Sequence, residues 1–265
     1  VKTQFDPLTR VFVSKNVRPE TNEEELFPAQ IELAFFYDEY RSNAPGGFGA
    51  VGRLSSVGVV PTTQGYISAV RYMGSLPGDG IGPLCIDVGS ANSMIAASVD
   101  GTPRYRIRTD LGMGHNIVSA LETVTPDAVR RWLPFAIDDA ALWDYAHNKQ
   151  LRPSTIPGTG EDLLLEQALA REIVRQLVAD ARPTWGTGES VLLPPFSPII
   201  AAGAALTETQ HPGISALLLL DALQPVGMVD LRLDPHNLIA SLGVVAYLEP
   251  LITVQALEAL SLIHI

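Results

Sequence analysis

Leu84-Cys85-Ile86-Asp87-Val88-Gly89-Ser90-Ala91-Asn92-Ser93-Met94-Ile95-Ala96-Ala97-Ser98-Val99-Asp100-Gly101 is the stretch whose reading decides the fold. An apolar run ends in Asp87-Val88, a turn of small residues follows, a second apolar run succeeds it, and Asp100-Gly101 is a strong two-residue hairpin signal. The pattern predicts two buried strands joined by a tip able to receive a phosphate. Gly89 lets the backbone approach an anion, while the hydroxyls of Ser90 and Ser93, the Asn92 amide and neighbouring N–H groups can converge on one concavity. A carboxylate on Asp87, at the strand end, suits Mg²⁺ or a metal-bound water better than a bare phosphate. Asp, Gly and Ser also form tight turns readily, so the hairpin alone leaves an ordinary turn open.

Composition narrows the alternatives. With 265 residues and 46% hydrophobic content the chain can bury a sizeable core. Its 29 acidic against 18 basic side chains give a formal charge of −11. That balance argues against a nucleic-acid partner, whose phosphates need neutralising by Lys and Arg, but leaves a small nucleotide open. Cys85 is the single cysteine, which excludes an intramolecular disulfide, reads as a buried structural thiol and fits a cytoplasmic setting. The richest apolar run, Ile214–Leu220, stops at Asp221 and is too short to span a membrane. No signal-peptide pattern opens the chain, which starts at Val1 without Met. A fragment of a longer protein is the expectation.

Outward from the central hairpin, Leu8–Lys15 reads as a strand broken by Asn16-Val17-Arg18-Pro19, Glu23–Tyr40 as a helix and Asn43–Gly52 as a glycine-rich loop. Pro61-Thr62-Thr63 offers a helix start before Tyr66–Met73, and Pro77–Gly82 is a loop. Tyr105–Arg108 reads as a third strand, completing an antiparallel three-stranded meander over 84–108. Thr109-Asp110-Leu111-Gly112-Met113-Gly114-His115 is a second glycine-bearing loop before an apolar helical stretch at Ile117–Leu121. Helices are predicted from Thr125-Pro126 and over Asp138–Asn148. Thr159-Gly160-Glu161-Asp162 caps the strongest one, Leu163–Ala181, whose Leu165, Leu169, Ile173 and Leu177 form a core stripe. Pro198–Ala204 reads as a buried strand entering a tight turn, Ile214–Leu223 as helix, Met228–Leu233 as extended and His236–Leu248 as helix. The sum is an α/β chain with a mixed sheet covered by helices.

Several tempting signals fail. Pro77-Gly78-Asp79-Gly80-Ile81-Gly82-Pro83 is similar to a string in decarboxylating dehydrogenases, but here it precedes a strand, so it reads as a loop. Gly186-Thr187-Gly188 is too short for a dinucleotide fingerprint. His115, His147, His211, His236 and His264 lack metal-ligand spacing with Cys85. His115 alone follows the glycine loop closely enough to reach a cleft, against the plainer surface or capping role. Asp110 reads either as a second carboxylate near the site or as a helix cap.

Lys15-Asn16-Val17-Arg18-Pro19, Asp87-Val88-Gly89-Ser90-Ala91-Asn92-Ser93, Asp110-Leu111-Gly112-Met113 and the segment from Leu233-Asp234 to Leu242-Gly243 together carry a resemblance. The chain resembles the glutamate-mutase-associated MutL (GlmL) family, related to diol-dehydratase reactivases within the actin, sugar-kinase and heat-shock ATPase superfamily. The resemblance implies the RNase H-like half of an actin-like ATPase fold, with 1–80 as a supporting segment and 81–265 as the nucleotide-binding half. It further implies ATP or ADP with Mg²⁺ as cofactors, Asp87 as catalytic and metal-holding carboxylate, and Gly89, Ser90, Asn92, Ser93, Gly112, Gly203 and Ala204 as nucleotide-binding residues. A chaperone-like, reactivase-type role beside a cobalamin-dependent mutase and weak ATPase activity follow from it. Ala202-Gly203-Ala204 would be the adenosine motif, and the first phosphate motif, expected ahead of Asn16, is absent, so the chain resembles a C-terminal half. Where the family carries Asp-x-Gly-Gly-Ala-Thr-Thr-Asp, this sequence has Ser90 for the second glycine, Asn92 and Ser93 for the threonines and Met94 for the last Asp; Ala204 replaces a second adenosine-motif glycine. Those departures keep open a non-catalytic scaffold or protein-docking domain, and a small-molecule kinase of the same superfamily.

Overall fold

Apolar and small residues in 84–99, followed by Asp100 and Gly101 at φ of 51° and 73°, fold as a tight hairpin ladder. Positive φ at both turn positions matches the twist of the flanking strands, and Asp and Gly tolerate it. The structure is a computed structural model that describes residues 60–76, 82–186 and 192–249 continuously, with 11, 13–19, 29, 33, 36, 40, 54, 253 and 263–264 as isolated positions. Strands β1 (Leu84–Val88), β2 (Ser93–Val99), β3 (Thr102–Arg108), β4 (Ile199–Ala202), β5 (Leu231–Asp234) and β6 (Ile263–His264) form one mixed sheet of order β3-β2-β1-β4-β5-β6. β1 pairs antiparallel with β2, and β2 with β3, while β1, β4 and β5 run parallel.

β3 starts at Thr102, ahead of the predicted Tyr105. Pro103 lies opposite Ser98 in the ladder, a place open to proline because β3 is an edge strand. β2, by contrast, is buried along nearly its whole length, as a strand covered on both faces must be.

One face carries the larger core. Helix α5 (Gly160–Ala181) lays Leu165, Leu169, Ile173 and Leu177 over it, with α2 (Ile117–Val124) and α7 (Pro212–Leu223), against Leu84, Ile86, Ile95, Ile199 and Leu233. The cap of α5 is the predicted one: Thr159 Oγ1 accepts from Asp162 N–H at 3.1 Å and Asp162 Oδ2 from Thr159 N–H at 3.0 Å. The other face is covered by α1 (Thr62–Gly74) and α8 (Leu238–Leu248), which bury Tyr66, Ile67, Val70 and Ile239 against Cys85, Met94, Ala96 and Ile200. Because strand side chains alternate, Asp87 shares that second face with Cys85. Between β3 and β4 the chain also forms α3 (Pro126–Arg130) and α4 (Asp139–Leu151), and α6 (Ala204–Thr207) follows β4.

By its contacts the chain divides into Val1–Pro61 and Thr62–Ile265, where the sequence placed a boundary at 80/81. In the first unit Ala29, Leu33, Phe36 and Tyr40 are helical, within the predicted helix over Glu23–Tyr40. Of the strand predicted at Leu8–Lys15, positions 11 and 13–15 carry no strand, and the rest lies outside the described residues. Asn16 instead makes a local turn, its Oδ1 accepting from Arg18 N–H at 3.1 Å. The loop at Asn43–Gly52 and positions 77–81 also lie outside the described residues.

Candidate functional site

Three residues meet at the carboxyl ends of the parallel strands, where ligands of open α/β sheets bind. The register places Asp87 beside Ala202, and Ala202 beside Asp234. Gly203, directly after β4, has φ of +89°, and a Cβ there would sit 2.2 Å from the Val88 carbonyl oxygen and 3.0 Å from Asp87 Oδ1. No other residue fits that contact.

Asp234 is fully buried, and its two carboxylate oxygens accept from Leu238 N–H at 2.8 Å and Ile239 N–H at 2.9 Å. Its charge is thus committed to the start of α8, where the helix dipole favours an anion. Asp87 has no such partner among the described residues, and burial, reinforced by the Asp234 charge, pushes its carboxyl up to about 6. Burial and the same carboxylates also raise the Tyr66 phenol and the Cys85 thiol; the Tyr66 hydroxyl donates to Asn237 Oδ1 at 3.1 Å. One half-buried carboxylate with uncommitted oxygens fits Mg²⁺, which is commonly held by one or two carboxylates together with substrate phosphates and waters. Among the described residues no group of three His, Cys, Asp or Glu gathers into an all-protein metal site.

Next to Asp87, the hairpin tip is stitched to the second glycine loop through its carbonyls. Gly89 N–H donates to Asn92 O at 3.0 Å; the Gly89 and Ser90 carbonyls accept from Met113 and Gly114 N–H, both at 2.9 Å. Asn116 Nδ2 binds the Ala91 carbonyl at 2.6 Å and the Thr109 carbonyl at 2.7 Å. Among the described residues the N–H groups of Ser90, Ala91 and Asn92 find no acceptor, so they remain as donors for an anion. Gly112 is buried beneath this tip, where a Cβ would lie 2.5 Å from the Ser90 carbonyl oxygen. Ser90 is exposed, Asn92 half-buried, and Ser93 fully buried with an Oγ that has no partner among the described residues. Asp110 fits neither sequence reading. Arg108 grips both its oxygens, at 2.8 Å and 2.6 Å, also pairs with Asp180, and holds the Asp110 carboxyl below its usual range.

Val88, Gly89 and Ser90 line one side of a cleft of about 490 Å³, and Ala204 and Ala205 line another. The two segments the sequence singled out, more than a hundred residues apart, therefore open onto the same space. Its remaining wall was missed by the sequence reading. Lys149 on α4 pairs with Glu166 of α5 at 2.7 Å, Tyr145 donates to the same Glu166 oxygen at 2.7 Å, and Lys149 also donates to the Thr155 carbonyl. This largely buried network backs the loop Pro153–Pro157 that rims the cleft. A signal existed in the sequence, since only Lys2, Lys15 and Lys149 are lysines and Lys149 stands alone after residue 15.

No curated protein matches this sequence. Among solved structures, component A of (R)-2-hydroxyglutaryl-CoA dehydratase from Acidaminococcus fermentans is similar over 69% of this chain and 66% of its own, at 12% identity and a TM-score of 0.37. This chain therefore spans just under two thirds of that one. The family described as MutL protein matches residues 5–260, nearly the whole sequence, and the chain belongs to that family.

Proposed function

We propose that the chain is an ATP-binding domain of reactivase or chaperone type that works beside a cobalamin-dependent mutase. In this reading, 81–265 is the RNase H-like nucleotide-binding half of an actin-like fold and 1–80 supports it. The observation that carries the proposal is the convergence of Gly89 and Ser90 with Ala204 on one cleft, with Asp87 packed against Gly203 at the strand ends that adjoin it. Membership of the MutL family supports the mutase association.

Each residue then has a task set by its chemistry. The backbone donors of Ser90, Ala91 and Asn92 and the Asn92 side chain hold phosphate oxygens; Gly89 permits their close approach. Asp87 holds Mg²⁺, which neutralises phosphate charge when bound. Gly203 and Ala204 give the nucleoside a flat backbone surface, and Gly112 supports the tip from below. A ligand that binds one conformation more tightly than another shifts the chain toward it, and so changes the surface offered to a partner.

Calorimetric titration of the protein with ATP·Mg²⁺ tests this. Wild type is expected to release heat, and Asp87→Ala is expected to lose most of it; equal heats would end the assignment of Asp87. A second reading, a domain that binds without hydrolysing, is favoured by Met94. It is fully buried in the apolar face beside Asp87, at the position where the family motif carries a carboxylate. ATP turnover above a protein-free blank, lost in Asp87→Ala, would exclude that reading.

A further inference from the structure

The cleft mouth contains a polar pair that neither the family motif nor the nucleotide reading accounts for. Ser90 stands where the family pattern has glycine, so its hydroxyl is an addition. The hydroxyl is held from one side by a single residue of the neighbouring loop: Ser90 Oγ lies 2.9 Å from His115 Nδ1 and accepts from His115 N–H at 3.4 Å. A seat has been cleared for it as well. A Cβ on Gly114 would fall 2.2 Å from Ser90 Oγ and 3.0 Å from Pro153 Cβ, so only glycine leaves room. Ser90 lines the cleft on its other side.

Hydrogen-bond arithmetic decides what this arrangement can do. A serine hydroxyl accepts twice and donates once. When Nδ1 carries the proton, both acceptor positions of Ser90 Oγ are filled by His115, from the ring and from the backbone. The single hydroxyl hydrogen is then free of His115 and available to an anion in the cleft. When Nδ1 is bare, the hydroxyl donates to the ring instead, still accepts from the His115 backbone N–H, and offers the cleft only its remaining lone pair, which repels phosphate.

Resting on the nucleotide reading above, we infer that His115 is a positioning residue: by protonation at Nδ1 it turns Ser90 into a hydroxyl donor for a nucleotide phosphate. The anion and the Nδ1–H form of His115 select each other. The loop Asp110–His115 thereby senses an occupied hairpin tip through its own ring.

The test follows the ring nitrogen. With the imidazole of His115 labelled with ¹⁵N, ATP·Mg²⁺ and, separately, inorganic pyrophosphate with Mg²⁺ are titrated into wild type and Ser90→Ala. Wild type is expected to show Nδ1 moving to the protonated, pyrrole-type position on saturation, and Ser90→Ala is expected to show no such movement. His115→Ala is expected to weaken nucleotide binding about tenfold, the size of one hydrogen bond to a charged group. His115→Asn, whose amide N–H replaces Nδ1–H, is expected to recover most of that loss. Tight binding of ATP with a silent ring, or unchanged affinity in His115→Ala, overturns this inference and leaves the nucleotide reading standing. Pyrophosphate moving the ring while ATP does not bind upholds the Ser90–His115 anion site and removes the nucleotide. Binding of neither overturns both.

Discussion

Replacing Asp87 by Asn separates what the site needs from what the fold needs. The Asp87 carboxyl ionises at about 6 in the folded chain against its ordinary 3.8, because burial and the neighbouring Asp234 both oppose its charge. A group whose folded value is raised holds its proton longer in the native state than in the unfolded one. Stability therefore falls as pH rises from about 4 to about 6, and stays lower above that window. At about 1.4 kcal/mol per unit, the gap amounts to roughly 3 kcal/mol at neutral pH. Asn keeps the shape of the neutral carboxyl without the charge. Asp87→Asn is thus expected to match wild type near pH 4 and to exceed it by about 3 kcal/mol at pH 7.5, a midpoint rise of roughly 6 to 12 °C for a unit of this size. Urea denaturation at pH 4, 5, 6 and 7.5, followed by circular dichroism, measures the difference. ATP·Mg²⁺, by neutralising the carboxylate, is expected to narrow the gap by stabilising wild type alone. Parallel stability curves for the two proteins from pH 4 to 7.5 would refute the argument that Asp87 is a strained, functional carboxylate.

Three further substitutions probe the surroundings. Gly203→Ala places a methyl 2.2 Å from the Val88 carbonyl at a φ of +89°; a loss of about 2 kcal/mol or more is expected in thermal melts, together with loss of nucleotide heat. Lys149→Met leaves the largely buried Glu166 without its cation, and urea titration is expected to show a cost of roughly 3 kcal/mol. Ser93→Ala removes a fully buried hydroxyl that has no partner among the described residues. It is expected to raise stability by up to about 1 kcal/mol in the same titration, with calorimetric affinity for ATP·Mg²⁺ unchanged.

Much of the fold was written locally. The strand Leu84–Val88 and the Asp100-Gly101 turn are set by neighbours in sequence, and so is the Thr159 to Asp162 box that starts α5. Such signals need no knowledge of what packs above them. Boundaries moved where tertiary context acts: β3 extends back through Pro103 because it is an edge, and α4 continues past Asn148 to Leu151. The site was legible only in part. Asp87, Gly89 and Gly203 stand out by residue type, but the influence of Asp234 on Asp87 depends on two strands that pair only through β4. The Ser90–His115 contact bridges two loops, and the Lys149–Glu166 pair bridges two helices. Neither spacing is periodic, so no pattern along the chain announces them. Asp110 misled because Arg108, two residues away, takes it.

Amide hydrogen exchange with and without ATP·Mg²⁺ tests the central claim most directly, since it reports on each wall of the cleft at once. The account expects protection to appear together at Gly89–Asn92 and at Gly203–Ala205, with the loop Gly112–His115 following, and to vanish in Asp87→Ala. Protection confined to one of these segments, or none at saturating nucleotide, would contradict it.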